Sequence, residues 1–245
     1  MTAPAFGGVD VSLDSRIDHL DWPRIESDLD ARGNALVEGL IEPERCAELA
    51  ALYADDSRFR SRVVMARHGY GRGEYRYFRY PLPETVATLR SAFYPHLAPI
   101  ANRWNAAMEI STQYPLAHED YLARCHTAGQ IRPTPLLLQY GVDDYNCLHQ
   151  DLYGEHVFPL QVAILLSEPQ RDFDGGEFVL TEQRPRQQSR VMVVPLAKGD
   201  GVVFAVNNRP VKGTRGDYQV KMRHGVSRLL TGQRHTLGII FHDAA

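Results

Sequence analysis

The chain has 245 residues, of which 44% are hydrophobic and 23% are charged. This length and composition suit one well-buried domain, so we expect residues 1–245 to form a single domain. The formal net charge of −3 gives no global electrostatic footprint for duplex nucleic acid.

The start of the chain and its cysteines bear on location. Residues 1–21 lack a basic segment followed by an apolar one, so we expect no secretory signal. No apolar run approaches membrane-spanning length. Cys46, Cys125 and Cys147 are odd in number and widely spaced, which is typical of reduced thiols. We therefore predict a cytoplasmic protein that does not associate with membranes.

The N-terminal half, residues 1–130, predicts helices and one strand that support a sheet. Residues 1–20 are interpreted as a loose leader. Asp21-Trp22-Pro23 then begins a short helix with Trp22, Ile25 and Leu29 on one face. Glu42-Pro43-Glu44 opens the next helix, with proline near its first turn and acidic residues that favour a helix N-terminus. The further predicted elements are a strand at Asn34–Ile41 and helices at 42–52, Glu84–Asn105 and Leu116–Ala128.

The stretch Arg58–Tyr80 stands apart because it carries seven arginines against a single acid, Glu74. In its second half, arginines alternate with aromatic residues, and Gly69, Gly71 and Gly73 suggest a mobile loop. Cationic and aromatic side chains together suit stacking on nucleobases and pairing with phosphates. The alternative is a β-hairpin whose aromatic residues pack while its arginines remain solvated.

The C-terminal half, residues 131–245, predicts short strands separated by turn signals. Such a series is typical of an antiparallel sandwich or barrel. The predicted strands are Leu136–Tyr140, Phe158–Leu166, Gly175–Leu180, Arg190–Leu196, Gly201–Val206, Tyr218–Val226 and Arg234–Phe241.

A candidate metal site is found in this half. His149 and Asp151 are two residues apart, and in an extended segment such residues point to the same side. A distant histidine, His224, completes a pattern that fits the 2-His-1-carboxylate facial triad, which holds Fe(II) and leaves positions open for O₂ and a co-substrate. Arg234 follows ten residues after His224.

These motifs resemble the Fe(II)/2-oxoglutarate-dependent oxygenases. DFDGGEFVL, KGDGVVF and HGVSRLLTGQRHTLGIIFHD, at 172–180, 198–204 and 224–243, resemble the corresponding strands of the prolyl-hydroxylase branch. The resemblance implies a mainly β fold with flanking helices (α+β) around a double-stranded β-helix (jelly-roll) core. It also implies Fe(II) held by His149, Asp151 and His224.

The co-substrate residues follow from the same resemblance. Arg234 is implied to grip the distal carboxylate of 2-oxoglutarate, because a guanidinium pairs bidentately with a carboxylate. Thr236 faces the same way and assists. Tyr140, nine residues before His149, matches a co-substrate tyrosine of the alkylated-nucleobase demethylases. The implied reaction converts 2-oxoglutarate and O₂ to succinate and CO₂ while hydroxylating a C–H bond.

The substrate stays open at this stage. The chain also resembles a bacterial family of oxygenases acting on damaged nucleic acid, which makes single-stranded or damaged nucleic acid a candidate partner. Two positions depart from the demethylases, since Leu138 replaces an asparagine and Ile240 a second arginine. A prolyl, peptidyl or small-molecule hydroxylase is the alternative. A non-oxidative metal-binding jelly roll, such as a zinc lyase, is a further one, although it has no need for Arg234 and Thr236.

If the substrate is a nucleobase, the arginine-rich stretch is the candidate lid that binds it. Arg72, Tyr75 and Tyr77 are then predicted to contact the substrate, with the tyrosines stacking on bases and the arginine pairing with phosphate.

Overall fold

In the computed structural model, residues 12–152, 154–214 and 216–245 are described, and they form five α-helices and fifteen β-strands. The helices are α1 (Leu13–Asp18), α2 (Trp22–Arg32), α3 (Pro43–Ala51), α4 (Glu84–Ala107) and α5 (His118–Thr127). The strands are β1 (Asn34–Val37), β2 (Phe59–Val64), β3 (Gly71–Arg72), β4 (Glu74–Phe78), β5 (Leu136–Tyr140), β6 (Tyr145–His149), β7 (Leu160–Leu165), β8 (Phe173–Gly175), β9 (Phe178–Gln183), β10 (Arg190–Val194), β11 (Gly201–Ala205), β12 (Asn208–Gly213), β13 (Gly216–Val226), β14 (Leu229–Gly232) and β15 (Arg234–Ile239).

Two antiparallel sheets form the core. The major sheet has the strand order β1-β11-β7-β15-β5-β4-β2, and the minor sheet has the order β10-β9-β13-β6-β3 with β12 paired to β13. Strands β14 and β8 form a separate two-stranded ribbon. The predicted fold class, mainly β with flanking helices around a double-stranded β-helix core, is confirmed.

Strand β7 is buried along its whole length, as its apolar run predicts for a central strand. The helices support the major sheet from one side, where α3 and α4 both contact β15. Phe93 and Trp104 of α4 are fully buried in the main hydrophobic cluster. Among the described residues, none of the helices combines the length and apolar character needed to cross a bilayer.

The prediction of a loose leader over residues 1–20 is wrong in its second part. Residues 12–20 include the helix α1, whose Ile17 is fully buried in the main cluster, so packing against α4 orders this segment. The first part of the predicted leader, residues 1–11, lies outside the described residues. Strands β12 and β14 were not predicted, because the first contains Pro210, which an edge strand tolerates, and the second is very short.

The arginine-rich stretch is divided between the two sheets. Strands β2 and β4 extend the major sheet through β5, whereas β3 pairs with β6 of the minor sheet. Gly71 (φ +127°) allows the crossing, because a Cβ there would lie 2.3 Å from the carbonyl oxygen of Tyr145. Gly71 therefore provides close backbone approach between strands, and the stretch forms part of the two sheets.

Candidate active site

A cavity of about 200 Å³ lies between the two sheets. Every second residue of β15 faces it, since alternate side chains of a strand point to one side. The minor sheet contributes His149 on β6 and His224 on β13, and Asp151 lies just beyond the end of β6. The residues that line the cavity and enter the argument are Tyr75, Tyr77, Tyr140, His149, Asp151, Gln161, Phe204, His224, Arg234, Thr236 and Ile240.

His149, Asp151 and His224 converge at this cavity. The Nε2 atom of His149 lies 3.4 Å from Oδ1 of Asp151, and Nε2 of His224 lies 3.3 Å from Oδ2 of the same carboxylate. The two imidazole rings are brought together because His149 pairs directly with His224 across β6 and β13, with ring centroids 4.1 Å apart. As the two-residue spacing predicts, the side chains of His149 and Asp151 point to the same side, and both lie beside His224.

Neighbouring groups fix the orientation of the three side chains. The Nδ1–H of His149 donates to the carbonyl oxygen of Cys147 at 2.8 Å, which leaves its Nε2 directed at the cavity. Between the two residues, the amide of Gln150 donates to Oδ1 of Asn207 and to the carbonyl oxygen of Met222, at 2.7 and 2.8 Å. These bonds hold the segment that carries both His149 and Asp151.

The electrostatics of the cluster suit a cation. Burial raises the pKa of Asp151, but hydrogen bonds and positive charge from His149 and His224 outweigh this effect and hold the pKa well below its usual value. Burial and the charge of His149 lower the pKa of His224. Burial lowers the pKa of His149, but the hydrogen bond and charge of Asp151 outweigh this effect and raise it. An ionised carboxylate therefore faces one imidazole, that of His224, which is biased towards its neutral, metal-binding form.

The donor set also fits a divalent metal by its dimensions. One ligand atom from each residue can be chosen so that all lie within 4.8 Å of one another. Metal–ligand distances of about 2.1 Å place adjacent ligands of a facial set roughly 3 Å apart, close to the separations found here. Two imidazoles and one carboxylate suit iron and related transition metals.

Arg234 lies in the same cavity as a buried guanidinium that lacks an acidic partner. Its exposure is 1%, and one of its terminal nitrogens donates to the hydroxyl of Thr236. In the described part of the chain, its Nε has no hydrogen-bond partner and it forms no ion pair with a carboxylate. Burial lowers the pKa of Arg234 to about 10, because a charge kept out of water is disfavoured. Such a group is suited to binding an anion.

Tyr140 and Thr236, the other two predicted co-substrate residues, flank this guanidinium. Arg234 pairs with Tyr140 across β15 and β5, and the guanidinium carbon lies 5.7 Å from the centre of the tyrosine ring. Burial raises the pKa of Tyr140, so its phenol remains protonated and available as a donor. Arg234, Thr236 and Tyr140 therefore form one donor cluster at one end of the cavity.

The three predicted substrate contacts are placed differently. Tyr75 and Tyr77 line the cavity, with their rings edge to face at 5.4 Å, whereas Arg72 is not among its lining residues. The side chain of Arg72 is 57% exposed, and its nearest acidic oxygen is that of Asp144 at 3.9 Å. Two of the three residues thus lie at the same cavity as the candidate metal residues, and the third is exposed and outside the cavity lining.

Sequence reasoning missed residues that shape the cavity. Gln161 is 4% exposed and lines it, and its signal in the sequence is that it is the one polar residue in the apolar run Phe158–Leu166. Phe178 and Phe204 pack on the His224 ring, with centroids at 6.2 and 4.7 Å. Their position in strands predicts burial but not contact with a metal-site histidine.

Several solved structures with a similar fold are described as oxygenases or hydroxylases. A protein described as an oxidoreductase of the 2OG-Fe(II) oxygenase family, from Burkholderia pseudomallei, superposes with a TM-score of 0.55 at 17% identity, covering 93% of this chain and 94% of that one. A Pseudomonas putida prolyl-4-hydroxylase gives a TM-score of 0.52 at 13% identity, covering 91% and 99%. A Trichoplax adhaerens prolyl hydroxylase gives 0.53 at 11%, covering 92% and 90%. At these identities the likeness concerns the fold.

Sequence comparison identifies the family. Two uncharacterized proteins of Mycobacterium tuberculosis, one from each of two strains, are both 51% identical to the chain over 168 residues, covering 69% of this chain and 72% of each relative. A family model described as "Oxygenase, catalysing oxidative methylation of damaged DNA" matches residues 73–244. Since that match spans the candidate metal and co-substrate residues and most of the chain, the protein belongs to this oxygenase family, Oxygenase-NA.

Proposed function

We propose that the protein is a non-haem Fe(II)/2-oxoglutarate-dependent dioxygenase that demethylates alkylated nucleobases in DNA or RNA. The observation that carries this proposal is the pairing of two features in one cavity. The His149–Asp151–His224 cluster suits a divalent metal, and the buried Arg234 lacks an anionic partner. A metal site alone fits many jelly-roll proteins, whereas the second feature calls for an anionic co-substrate beside the metal.

The charges of the proposed complex balance. A divalent metal, one aspartate, one arginine and the two carboxylates of 2-oxoglutarate sum to zero within the cavity. In the ligand-free protein, Arg234 has no carboxylate partner among the described residues, so the co-substrate supplies the missing charge. A zinc lyase has no such requirement, and this difference favours the oxygenase over a non-oxidative metal protein.

The residues would divide the work as follows. His149, Asp151 and His224 would hold iron, which when bound supplies the activation of O₂ and the oxidation of 2-oxoglutarate to succinate and CO₂. Arg234, Thr236 and the phenol of Tyr140 would bind and orient the distal carboxylate. Phe178 and Phe204 would shield the His224 side of the site from water.

One oxygen atom of O₂ would enter succinate, and the other would enter the substrate. Hydroxylation of an N-methyl group gives an N-hydroxymethyl product, which loses formaldehyde and leaves the unmethylated nitrogen. Formaldehyde is therefore the signature that separates demethylation from hydroxylation of a ring carbon, which gives a stable alcohol.

Support for a nucleobase comes from the family description and from the cavity wall. The description of the family refers to damaged DNA. Tyr75 and Tyr77 add an aromatic wall to the cavity, and base–aromatic stacking is worth about 1–3 kcal/mol per base. A volume of about 200 Å³ is small for the metal, the co-substrate and a bulky group together, so the substrate would insert one base or side group at a time.

The second candidate is a prolyl or peptidyl hydroxylase. It is favoured by the prolyl hydroxylases among the solved structures of the same fold, with TM-scores of 0.52 and 0.53. The two candidates share every residue of the metal and co-substrate sites. They differ in the substrate group that meets Tyr75 and Tyr77.

The test is a substrate panel with two readouts. Iron-loaded protein is incubated with 2-oxoglutarate and N-methylated single-stranded DNA or RNA, a proline-containing peptide, or no prime substrate, and succinate and formaldehyde are measured. We expect succinate and formaldehyde to form in equal amounts when methylated oligonucleotide is present. With the Asp151→Ala variant, we expect neither product above background. Succinate with the peptide and no formaldehyde with any oligonucleotide supports the peptidyl hydroxylase. Absence of iron-dependent succinate throughout the panel refutes the oxygenase assignment.

A further inference from the structure

We infer that Gln161 is the second anion-binding group of the cavity and donates a hydrogen bond to the carboxylate of 2-oxoglutarate that lies next to the keto group. The inference rests on the proposed function, because it assigns a residue to the same co-substrate. It gives a role to a buried donor that the mechanism above leaves unused.

The first observation concerns the amide nitrogen of Gln161. Its Nε2 is buried and has no hydrogen-bond partner among the described residues, although the side chain lines the cavity. A buried amide donor without a partner is costly, so such groups are rare in folded proteins unless a ligand or water completes them. Gln150 lines the same cavity, but its side-chain amide has partners, since it donates to Asn207 and to the carbonyl oxygen of Met222.

The second observation is the arrangement of donors along the cavity. Arg234, Thr236 and Tyr140 form a cluster at one end. In the major sheet, Thr236 pairs with Leu165 of β7, and Phe204 pairs with Gln161 of the same strand. Thr236 accepts a hydrogen bond from Arg234, so Gln161 lies four residues along β7 from the level of this bond. A linear diacid has a carboxylate at each end, and the cavity has donors that lack partners at two separated levels.

The two levels are well separated along the sheet, since four strand residues at about 3.3 Å each span about 13 Å between Cα atoms. The side chains of Arg234 and Gln161 both reach the cavity from these levels. His224 packs on Phe204, the strand partner of Gln161, so the metal cluster lies close to the same end of the ligand.

The third observation separates the co-substrate from the prime substrate. Gln161, Phe204 and Ile240 are all nearly closed to solvent, at 4%, 2% and 1% exposure, whereas Tyr70, which also lines the cavity, is 48% exposed. A polymeric substrate must enter from the open side. Gln161 is therefore placed to meet the inner ligand.

The test compares two ligands on two variants. Anaerobic binding to Mn(II)-loaded, full-length protein is measured by calorimetry for 2-oxoglutarate and for 4-oxopentanoate. The latter keeps the keto group and the distal carboxylate but has a methyl group in place of the other carboxylate. We expect Gln161→Met to weaken 2-oxoglutarate about 10- to 100-fold, the range for losing a hydrogen bond to a charged group, and to leave 4-oxopentanoate within about twofold. Gln161→Glu, nearly isosteric but anionic, should weaken 2-oxoglutarate further.

The control is Gln139→Met. Gln139 lies on β5 of the same sheet, outside the cavity lining, with its amide beside His235, so neither ligand should be affected. Unchanged binding of 2-oxoglutarate by both Gln161 variants overturns the inference, as does an equal loss for the two acids, which would indicate a merely structural role. If the wild-type Mn(II) protein itself fails to bind 2-oxoglutarate, the proposed function fails instead.

Discussion

Replacing Arg234 by methionine should stabilise the ligand-free protein while it removes co-substrate binding. The guanidinium is buried and has no acidic partner among the described residues, and burial lowers its pKa to about 10 from 12.5. Holding the charge in place therefore costs at most roughly 3 kcal/mol. Methionine fills similar apolar space without this cost.

The expected gain is smaller than that limit. The substitution also removes the hydrogen bond to Thr236, worth about 1 kcal/mol, so we expect the free energy of unfolding to rise by about 1–2 kcal/mol. For a protein of this size that corresponds to a Tm higher by about 2–8 °C. Binding of 2-oxoglutarate should weaken by roughly 30-fold or more, since losing a sheltered charged pair costs about 2–5 kcal/mol.

Arg90→Met is the matched control. Arg90 is also buried, at 2% exposure, but its guanidinium pairs with Asp243 at 2.7 Å. Removing it leaves a buried carboxylate without that partner and should cost about 3–5 kcal/mol. Urea and thermal unfolding of both variants, with and without Mn(II) and 2-oxoglutarate, measure the contrast. A loss of stability in Arg234→Met comparable to that in Arg90→Met, or an undiminished rise in Tm on adding 2-oxoglutarate, would refute the reasoning.

Three further outcomes are expected. Asp151→Ala should abolish metal binding and turnover with little change in Tm, because the sheets carry the fold; metal content after loading checks this, and full retention of metal would contradict the cluster assignment. Tyr75→Leu should raise the KM for a methylated oligonucleotide about 5- to 100-fold while leaving the Kd for 2-oxoglutarate unchanged, with an equal effect on both ligands counting against a stacking role. Acid should destabilise the protein through His118, whose pKa is lowered to about 4 by burial and by the charge of Arg90. The unfolded chain then binds more protons below pH 6.5, so stability falls between pH 6.5 and 4 by up to roughly 3 kcal/mol, and urea unfolding of His118→Gln should show a shallower decline.

Local periodicity explains why much of the site could be predicted from the sequence. Strand β5 begins and ends where the apolar run predicts, at Leu136 and Tyr140. The spacing of His149 and Asp151, and of Arg234 and Thr236, gives side chains on one side of an extended segment, and the structure places each pair on the cavity. Such patterns depend only on residues that are close in sequence, so they hold whichever strands pair in the sheets.

Pairing between distant strands could not be predicted in the same way. The sequence indicates strands in Arg58–Tyr80, but it does not indicate that β4 joins the major sheet while β3 joins the minor one. Gln161 presents the same limit. Alternation does not indicate which side of β7 Gln161 faces. Only the pairing of the distant strands places its side chain in the cavity that also contains His149, Asp151 and His224.

The division of the arginine-rich stretch between two sheets also changes how it would meet a nucleic acid. Six of its seven arginines make contacts within the chain. Arg58, Arg62, Arg72 and Arg76 form ion pairs with Asp55, Glu74, Asp144 and Asp56, and Arg60 and Arg79 donate to the carbonyl oxygens of Pro133 and Ser57. An arginine that is already paired with a carboxylate neutralises a phosphate less effectively, so the stretch offers less electrostatic affinity than its composition suggests. Tyr75 and Tyr77, in contrast, reach the cavity that contains the metal cluster. If the substrate is a nucleobase, recognition by this stretch would therefore depend on stacking inside the cavity more than on phosphate contacts outside it.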